Sequence, residues 1–334
     1  MPPSRIFKDQ LRKVVTGSRG VGERERTGGR EEGKKGDRMM KDSGEHINNI
    51  AKIFFQTFSK RGMTSKIIIN FRQIIYAYYN KYARDLPWRN INDPYRILVS
   101  EIMLQQTRIE RVLQKYPLFI KTFPDFITLA HASLQEVLIV WQGMGYNRRA
   151  LALHKIAQIV AIEHNSILPS SLPELIALPG IGKTTASAIM AFAFNQPVSF
   201  IETNIRSVFI YFFFPHQTKV KDAEIFPFIE KTLDSANPRA WYYALMDYGT
   251  MLKKNYPNPG RKSAHYHTQS PFQGSDRQIR GMILRALTHK HALSIAQLLQ
   301  HLHDDPTRTQ RILAQLLKEG FIQKHKAKYQ LATS

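Results

Sequence analysis

Two carboxylates and a glycine turn carry the chemistry open to this chain. Glu101 lies in LVSEIMLQQT, among Ile97, Leu98, Ile102, Met103 and Leu104. A carboxyl on so apolar a helix is expected to lose part of its hydration. That favours the neutral acid and suits a general acid that protonates a base nitrogen. The plainer alternative is a carboxylate on the exposed face of the helix. The run Gln105, Gln106 and Thr107 weighs against it, because these uncharged hydrogen-bonding groups suit base edges. Glu202 is the second carboxylate. Breaking a glycosidic bond passes through an oxocarbenium-like state that a nearby negative charge stabilises. A protonated acid and an ionised carboxylate in two environments make the expected division of labour. Glu202 also opens a helix, where an acid is favourable with the dipole, and the two roles are compatible. Asn204 could hold a water or the carboxylate. The expectation is that Glu101 and Glu202 face one cleft.

Pro179, Gly180, Ile181, Gly182 and Lys183 form the turn. Its glycines leave backbone N–H groups uncovered at the start of a helix, where the dipole and the Lys183 charge suit a phosphate oxygen. Such a turn grips DNA backbone without reading sequence. The competing reading is a Pro-Gly loop joining two packed helices.

The elements that must position these groups read as helices. Ile67 to Arg84 has apolar residues at helical spacing. Asp93-Pro94 caps and starts the Glu101 helix. Further helices are expected over 109–121, 125–130, 133–141, 147–164, 172–178 and 183–194. In the last, Ala186, Ser187, Ala188 and Ala191 would let another backbone come close. Sustained strand alternation is absent, so this region is all-α. Three more helices between 280 and 319, followed by the alternating FIQKHKAKYQLA, have the order of a winged helix-turn-helix domain. Its third helix, starting near Thr307, would meet DNA, although a protein-binding role fits the same pattern. Residues 255–277 read as a Pro/Ser/Gly/basic linker.

Composition narrows the partner. The 334 residues carry a formal net charge of +22, with a pI of about 10.1, which implies a polyanion such as nucleic acid. Residues 1–62 hold fifteen Lys/Arg and eight Asp/Glu, so the rest remains strongly basic. That tail is expected to be disordered, because it cannot bury enough apolar surface to offset its ordering entropy. Met63 is then a candidate natural start. The chain has no cysteine, which excludes disulfides, zinc–thiolate sites and cysteine-held iron–sulfur clusters. It shows no spanning apolar run and no secretory leader. The expectation is a monomer, cytoplasmic and nucleoid-associated, with no membrane partner, no metal and no cofactor.

Taken together, LPWRNINDPYRILVSEIMLQQT, WQGMGYNRRALALHKIA, LPGIGKTTASAI and MDYGTM resemble the MutY-type adenine DNA glycosylases of the helix-hairpin-helix superfamily, over residues 67 to 252. The resemblance implies an all-α, two-lobed catalytic core that flips a base from duplex DNA. It places residues 63–92 and 209–254 in one lobe and 93–208 in the other. The winged-helix-like domain, read from its own order of helices and strands, is expected at 278–334. It implies that Glu101 protonates adenine N7 and that Glu202 and Asn204 stand for the catalytic aspartate and its companion asparagine. Arg84, Trp88 and Leu104 are then expected to line the base pocket, together with Thr184. Gln106, Thr107, Met144 and Tyr146 would wedge into the duplex around the orphaned base. Bifunctional relatives have a lysine where this chain has Thr184, so water is expected to complete the reaction.

Three departures stand out. Glu202 sits in ETN where the family has an aspartate in DGN. The extra methylene shifts the charge by roughly 1.5 Å, and misplacement on that scale can cost about 10²-fold in rate. The four cysteines that follow the MDYG-like segment in the family are missing, and Lys253, Lys254, Arg261 and Lys262 are expected to grip DNA in that region instead. The family's domain for reading 8-oxoguanine is replaced by the winged helix. The implied function is a monofunctional base excision glycosylase acting on adenine opposite G or 8-oxoguanine in double-stranded DNA. The alternatives are a glycosylase for another mispaired base, such as thymine, uracil or a deaminated purine, and a non-catalytic DNA-binding protein of the same fold.

Overall fold

A computed structural model describes residues 47–332. In chain order the elements are α1 (47–61), α2 (Ser65–Tyr82), α3 (Pro94–Leu104), α4 (Ile109–Thr122), α5 (Phe126–His131), α6 (Leu134–Trp141), α7 (Arg148–Glu163), α8 (Leu172–Ala177), α9 (Lys183–Phe194), α10 (Thr203–Phe213), α11 (Asp222–Thr232), α12 (Pro238–Asn255), a 3₁₀ turn (Pro259–Lys262), α13 (Asp276–Lys290), β1 (Ala292–Ser294), α14 (Ile295–Leu302), α15 (Pro306–Lys318), β2 (Ile322–His325) and β3 (Lys328–Leu331). Helix starts follow local chemistry. Asp93 accepts from the N–H groups of Tyr95 and Arg96 ahead of Pro94, and Ser133 and Glu136 form a capping box on α6. Asn195, with φ of 53°, closes α9 in the left-handed conformation.

The chain divides into two units. The described part of the first is 47–84 with 199–266. Its core is aromatic. The Phe71 ring lies within 6 Å of Phe54, Phe209, Phe212, Phe213 and Trp241. Here the expectation of a disordered 1–62 fails in part. Residues 47–61 are helical, and Phe54 is 2% exposed against Phe71, Phe212 and Phe213. The apolar run AKIFFQTF contributes enough burial to order that stretch. Residues 1–46 of the expected tail lie outside the described residues.

The second unit is 85–198 with the described residues 267–332. α3 packs against α9, whose buried Ala186, Ser187, Ala188 and Ala191 allow the close approach foreseen. The C-terminal module is α13, β1, α14, α15 and the β2–β3 hairpin. Its three strands form an antiparallel sheet in the order β1-β3-β2, so β1 is an addition to the expected strand pair. The module packs α13 against α6, where Gln135 Nε2 donates to the Thr288 carbonyl across 2.9 Å. Arg148 of α7 and Arg280 of α13 both pair with Glu319, at the end of α15.

Two expected boundaries move. The units divide after residues 84 and 198, so Glu202 and Asn204 belong with α10 to α12 rather than with Glu101. The expected linker 255–277 begins with structured chain: Pro259 and Gly260 are buried, and Val220 bridges to Ser263.

Candidate active site

Glu202 is the N-cap of α10. Its Oε1 accepts from the N–H groups of Asn204 and Ile205, at 2.7 and 2.8 Å, and Asn204 Nδ2 donates to Oε2 across 3.2 Å. The carboxylate is therefore fixed at the positive end of a helix. The amide beside it is fixed in turn, because Lys253 Nζ of α12 donates to Asn204 Oδ1 across 2.9 Å. Burial lowers the pKa of Lys253, and the nearby Glu202 charge opposes that fall. α12 reaches α10 so closely because residue 249 is glycine. A Cβ there would fall on the Asn204 carbonyl. Upstream, the buried Phe200 ring lies tilted 4.2 Å from Tyr242 and anchors the approach to Glu202.

Arg84 belongs to the same unit. Its Nε donates to Asp247 Oδ1 at 2.6 Å, and its backbone N–H donates to Oδ2 at 2.9 Å. The Asp247 side chain is 1% exposed and that of Arg84 is 29% exposed, so this guanidinium is anchored on α12 and stays partly exposed. Burial, with the Asp247 charge adding to it, pushes the neighbouring Tyr78 up to about 12.

The second unit holds the other candidates. Glu101 is half-exposed on α3, between the buried Ser100 and Ile102. The chain then turns through Gln105, Gln106 and Thr107, with Gln106 at φ of 52°. Tyr146 adopts a similar strained φ of 49°. Both segments are tied to Arg149, which is 8% exposed. Its Nη1 donates to the carbonyls of Ile102, Met103 and Gln105. Its Nη2 donates to Thr107 Oγ1 and to the carbonyls of Met144 and Gly145. Trp141 and Tyr146 each lie 5.4 Å from the guanidinium. Burial pulls its pKa down to about 10, so it stays cationic at neutral pH. Tyr146 is gripped from the C-terminal module as well, since Arg277 Nη1 donates to its hydroxyl at 2.6 Å.

In the turn, Ile181 is buried as a plug while Gly180, Gly182, Lys183 and Thr184 are exposed and Pro179 is half-exposed. Gly180 has φ of 75°. Gly182 caps α9 without a side chain, so nothing covers the helix N-terminus from that position. Gln105 Nε2 reaches Thr185 Oγ1 at 3.1 Å and joins the turn to the end of α3.

Some expected site residues are less accessible than their assigned roles require. Met144 is 1% exposed and Trp88 3% exposed, the latter stacked edge-on against Tyr116. Leu104 and Thr107 are half-buried, and Gln106 is exposed. Two members of the expected basic DNA grip at 253–262 have hydrogen-bond partners inside the protein. Lys253 holds Asn204, and Lys262 Nζ donates to the Pro215 carbonyl at 2.6 Å. Lys254 and Arg261 are exposed. The thiolates that an iron–sulfur cluster needs do not exist in this chain. The same segment is instead stitched by backbone bonds from Val220 N to Lys262 O and from Ala264 N to Val220 O, both 2.9 Å. No group of His, Asp or Glu suited to a metal ion occurs among the described residues. Nor is any described helix long and apolar enough to cross a membrane.

Sequence reasoning missed Arg149, Asp247, Gly249 and Arg277. Only Gly249 had a local signal, as a glycine inside the helical pattern of MDYGTM.

Comparison with known proteins adds the lineage. Residues 99–227 match the family described as HhH-GPD superfamily base excision DNA repair protein. An adenine DNA glycosylase of Buchnera aphidicola subsp. Baizongia pistaciae is 37% identical over 187 residues, covering 54% of this chain and 52% of the relative. The chain thus spans about half the length of that relative. An adenine DNA glycosylase of Mycolicibacterium smegmatis is 32% identical over 272 residues, covering 74% of this chain and 90% of the relative. The solved structure of a thermostable thymine-DNA glycosylase overlays with a TM-score of 0.49 at 25% identity, covering 55% of this chain and 86% of that one. The chain belongs to the HhH-GPD superfamily of base excision DNA repair proteins, as a relative of its adenine DNA glycosylases.

Proposed function

We propose that this chain is a monofunctional DNA glycosylase that hydrolyses the N-glycosidic bond of a mispaired adenine, opposite G or 8-oxoguanine, in duplex DNA. The observation that carries the reading is the fixed carboxylate of Glu202, clamped by two backbone N–H groups and by an amide that Lys253 holds. A rigid, oriented negative charge is what a cationic sugar requires. Adenine is the base named for relatives along the chain.

In this reading Glu101 gives its proton to the departing base. The bond from C1′ to the base nitrogen breaks with its electron pair going to the base. Glu202 stabilises the cationic sugar, and a water that Asn204 helps to hold bonds to C1′ and gives up a proton that restores the Glu101 acid. The products are free adenine and an abasic site. Thr184 offers no amine, so the sugar is not captured covalently. Arg84, Trp88 and Leu104 line the base pocket, with Met144 moving out of its buried position to join Gln106, Thr107 and Tyr146 around the orphaned base. The hairpin from Pro179 to Lys183 holds the backbone. The protein works as a monomer beside the nucleoid, without a metal or cofactor.

The test uses four duplexes, with A opposite 8-oxoguanine, A opposite G, T opposite G and U opposite G. Each is incubated with protein and then treated with alkali to cut abasic sites. Breaks confined to the A-containing strands support the reading. Breaks at T or U, or binding without breaks, overturn it. Glu101→Gln should bind normally and cut at least about 10²-fold more slowly, in the range of a lost general acid.

A further inference from the structure

The C-terminal module has a surface that the glycosylase reading leaves unused. α14 and α15 are joined by the three residues 303–305, the spacing of a helix-turn-helix. The inner side of α15 buries Thr309, Ile312, Leu313 and Leu316. The outer side exposes Thr307, Gln310, Arg311, Ala314, Gln315 and Lys318. That stripe has no large apolar anchor of the kind a protein interface uses. Beside it stands the β2–β3 hairpin. His325 pairs with Lys328 in register, so the tip is the two-residue turn Lys326-Ala327, with Lys326 at φ of 53°. Lys324, His325, Lys326 and Lys328 are all exposed.

The acids of the module are occupied. Asp276 accepts from Arg308 and Arg311, Asp304 pairs with Arg308, and Asp305 caps α15. Glu319 is held between Arg148 and Arg280. Residues 276–332 carry ten Lys/Arg against four Asp/Glu. A polar helix face next to a basic wing matches the major groove of B-form DNA and its flanking phosphates. The deep, narrow groove of A-form RNA would not admit the helix.

We propose that α15 and the Lys326 wing form a second duplex-DNA contact, gripping the double helix away from the base that is removed. This rests on the reading that the chain works on duplex DNA, and it is independent of which base is excised. α15 enters the major groove and the wing lysines meet the backbone, so the grip positions the protein without needing a lesion.

The experiment uses the full chain and an undamaged duplex of about 20 base pairs. Lys318→Glu, Lys326→Glu and Lys328→Glu are combined in one variant. Affinity at about 0.1 M salt should fall at least about tenfold, and the slope of log affinity against log salt should become shallower by about 2 to 3. Single-turnover base removal at saturating protein should stay within about twofold. Native affinity and slope in a variant that melts like the parent would overturn the proposal.

A second measurement avoids charge reversal. Because the chain has no cysteine, Gln310→Cys supplies a single thiol. It should form a disulfide with duplex DNA that carries a thiol tethered in the major groove, and failure to cross-link at any tether position would overturn the proposal. A parent protein that removes no adenine, yet shows both effects, would sink the glycosylase reading and leave this one standing.

Discussion

Lys253 Nζ lies 2.9 Å from Asn204 Oδ1, and this contact joins α12 to the first turn of α10. A cation that sequence alone assigns to DNA instead fixes the amide next to Glu202. Lys253→Met keeps most of the stem and removes the charge. It should change duplex affinity less than twofold and slow base removal by about tenfold, the loss expected from freeing one positioning hydrogen bond of about 1–1.5 kcal/mol. Gel-shift and single-turnover assays on one preparation separate these effects. A large affinity loss with an intact rate would return Lys253 to the DNA surface.

Gly249 makes that contact possible, since any Cβ there strikes the Asn204 backbone. Gly249→Ala should cost about 1–3 kcal/mol of stability through overpacking, despite alanine's better helix propensity. Denaturant unfolding checks this, and a stabilised variant would show that α10 and α12 yield easily.

Glu202 has two roles that substitution can divide. Glu202→Gln retains a side-chain oxygen for the N–H groups of Asn204 and Ile205 but loses the charge. Its stability should change by under about 1 kcal/mol, while base removal falls at least about 10²-fold. Glu202→Ala loses both, with a stability cost of about 1 kcal/mol. Equal rates for the parent and Glu202→Gln would reduce the residue to a cap.

Arg149 donates to six acceptors, on the last turn of α3, the turn that follows it and the loop before α7. Arg149→Ala should cost about 3 kcal/mol or more by leaving buried carbonyls unpaired. Arg149→Lys should recover little, because an ammonium cannot reproduce the planar fork. Thermal melts of both variants decide it, and full recovery by lysine would refute the fork argument.

Glu319 gives a pH signature. Burial alone would raise its pKa, but hydrogen bonds from Arg148 and Arg280 outweigh that, and the carboxyl sits below its ordinary 4.5. A carboxyl depressed in the folded state contributes its full stability above about pH 4.5. That contribution is lost as pH falls through the lower folded value. The protection factors of amides at the end of α15, taken against the intrinsic exchange rate at each pH, should therefore fall on acidification in the parent and lose this dependence in Glu319→Gln. The same acid response in both would remove the ion pair from the explanation.

Much of the scaffold around the candidate site was legible because it rests on short-range rules. Asp93-Pro94, the glycine turn and the small residues of α9 act within a few positions of one another, and each appears where local chemistry sends it. Arg149 was hidden because Arg148 is its identical neighbour. Only the packing of Trp141 and Tyr146 decides which of the two turns inward. Arg84 and Asp247 are 163 positions apart, and nothing near either announces the other. Met144 is assigned to the duplex by its place in a motif, and its 1% exposure is set by apolar packing that the motif does not announce. The division at 84 and 198 could not be read locally either, because it depends on which helices share the aromatic core.

The helix at 47–61 has a practical consequence. A polypeptide beginning at Met63 would lack the Phe54 ring that covers Phe212 and Phe213, as well as the Phe58 ring against Phe213 and Phe228. Bare benzyl surface of that extent promotes clumping, so shortened versions made for the laboratory should start ahead of residue 47.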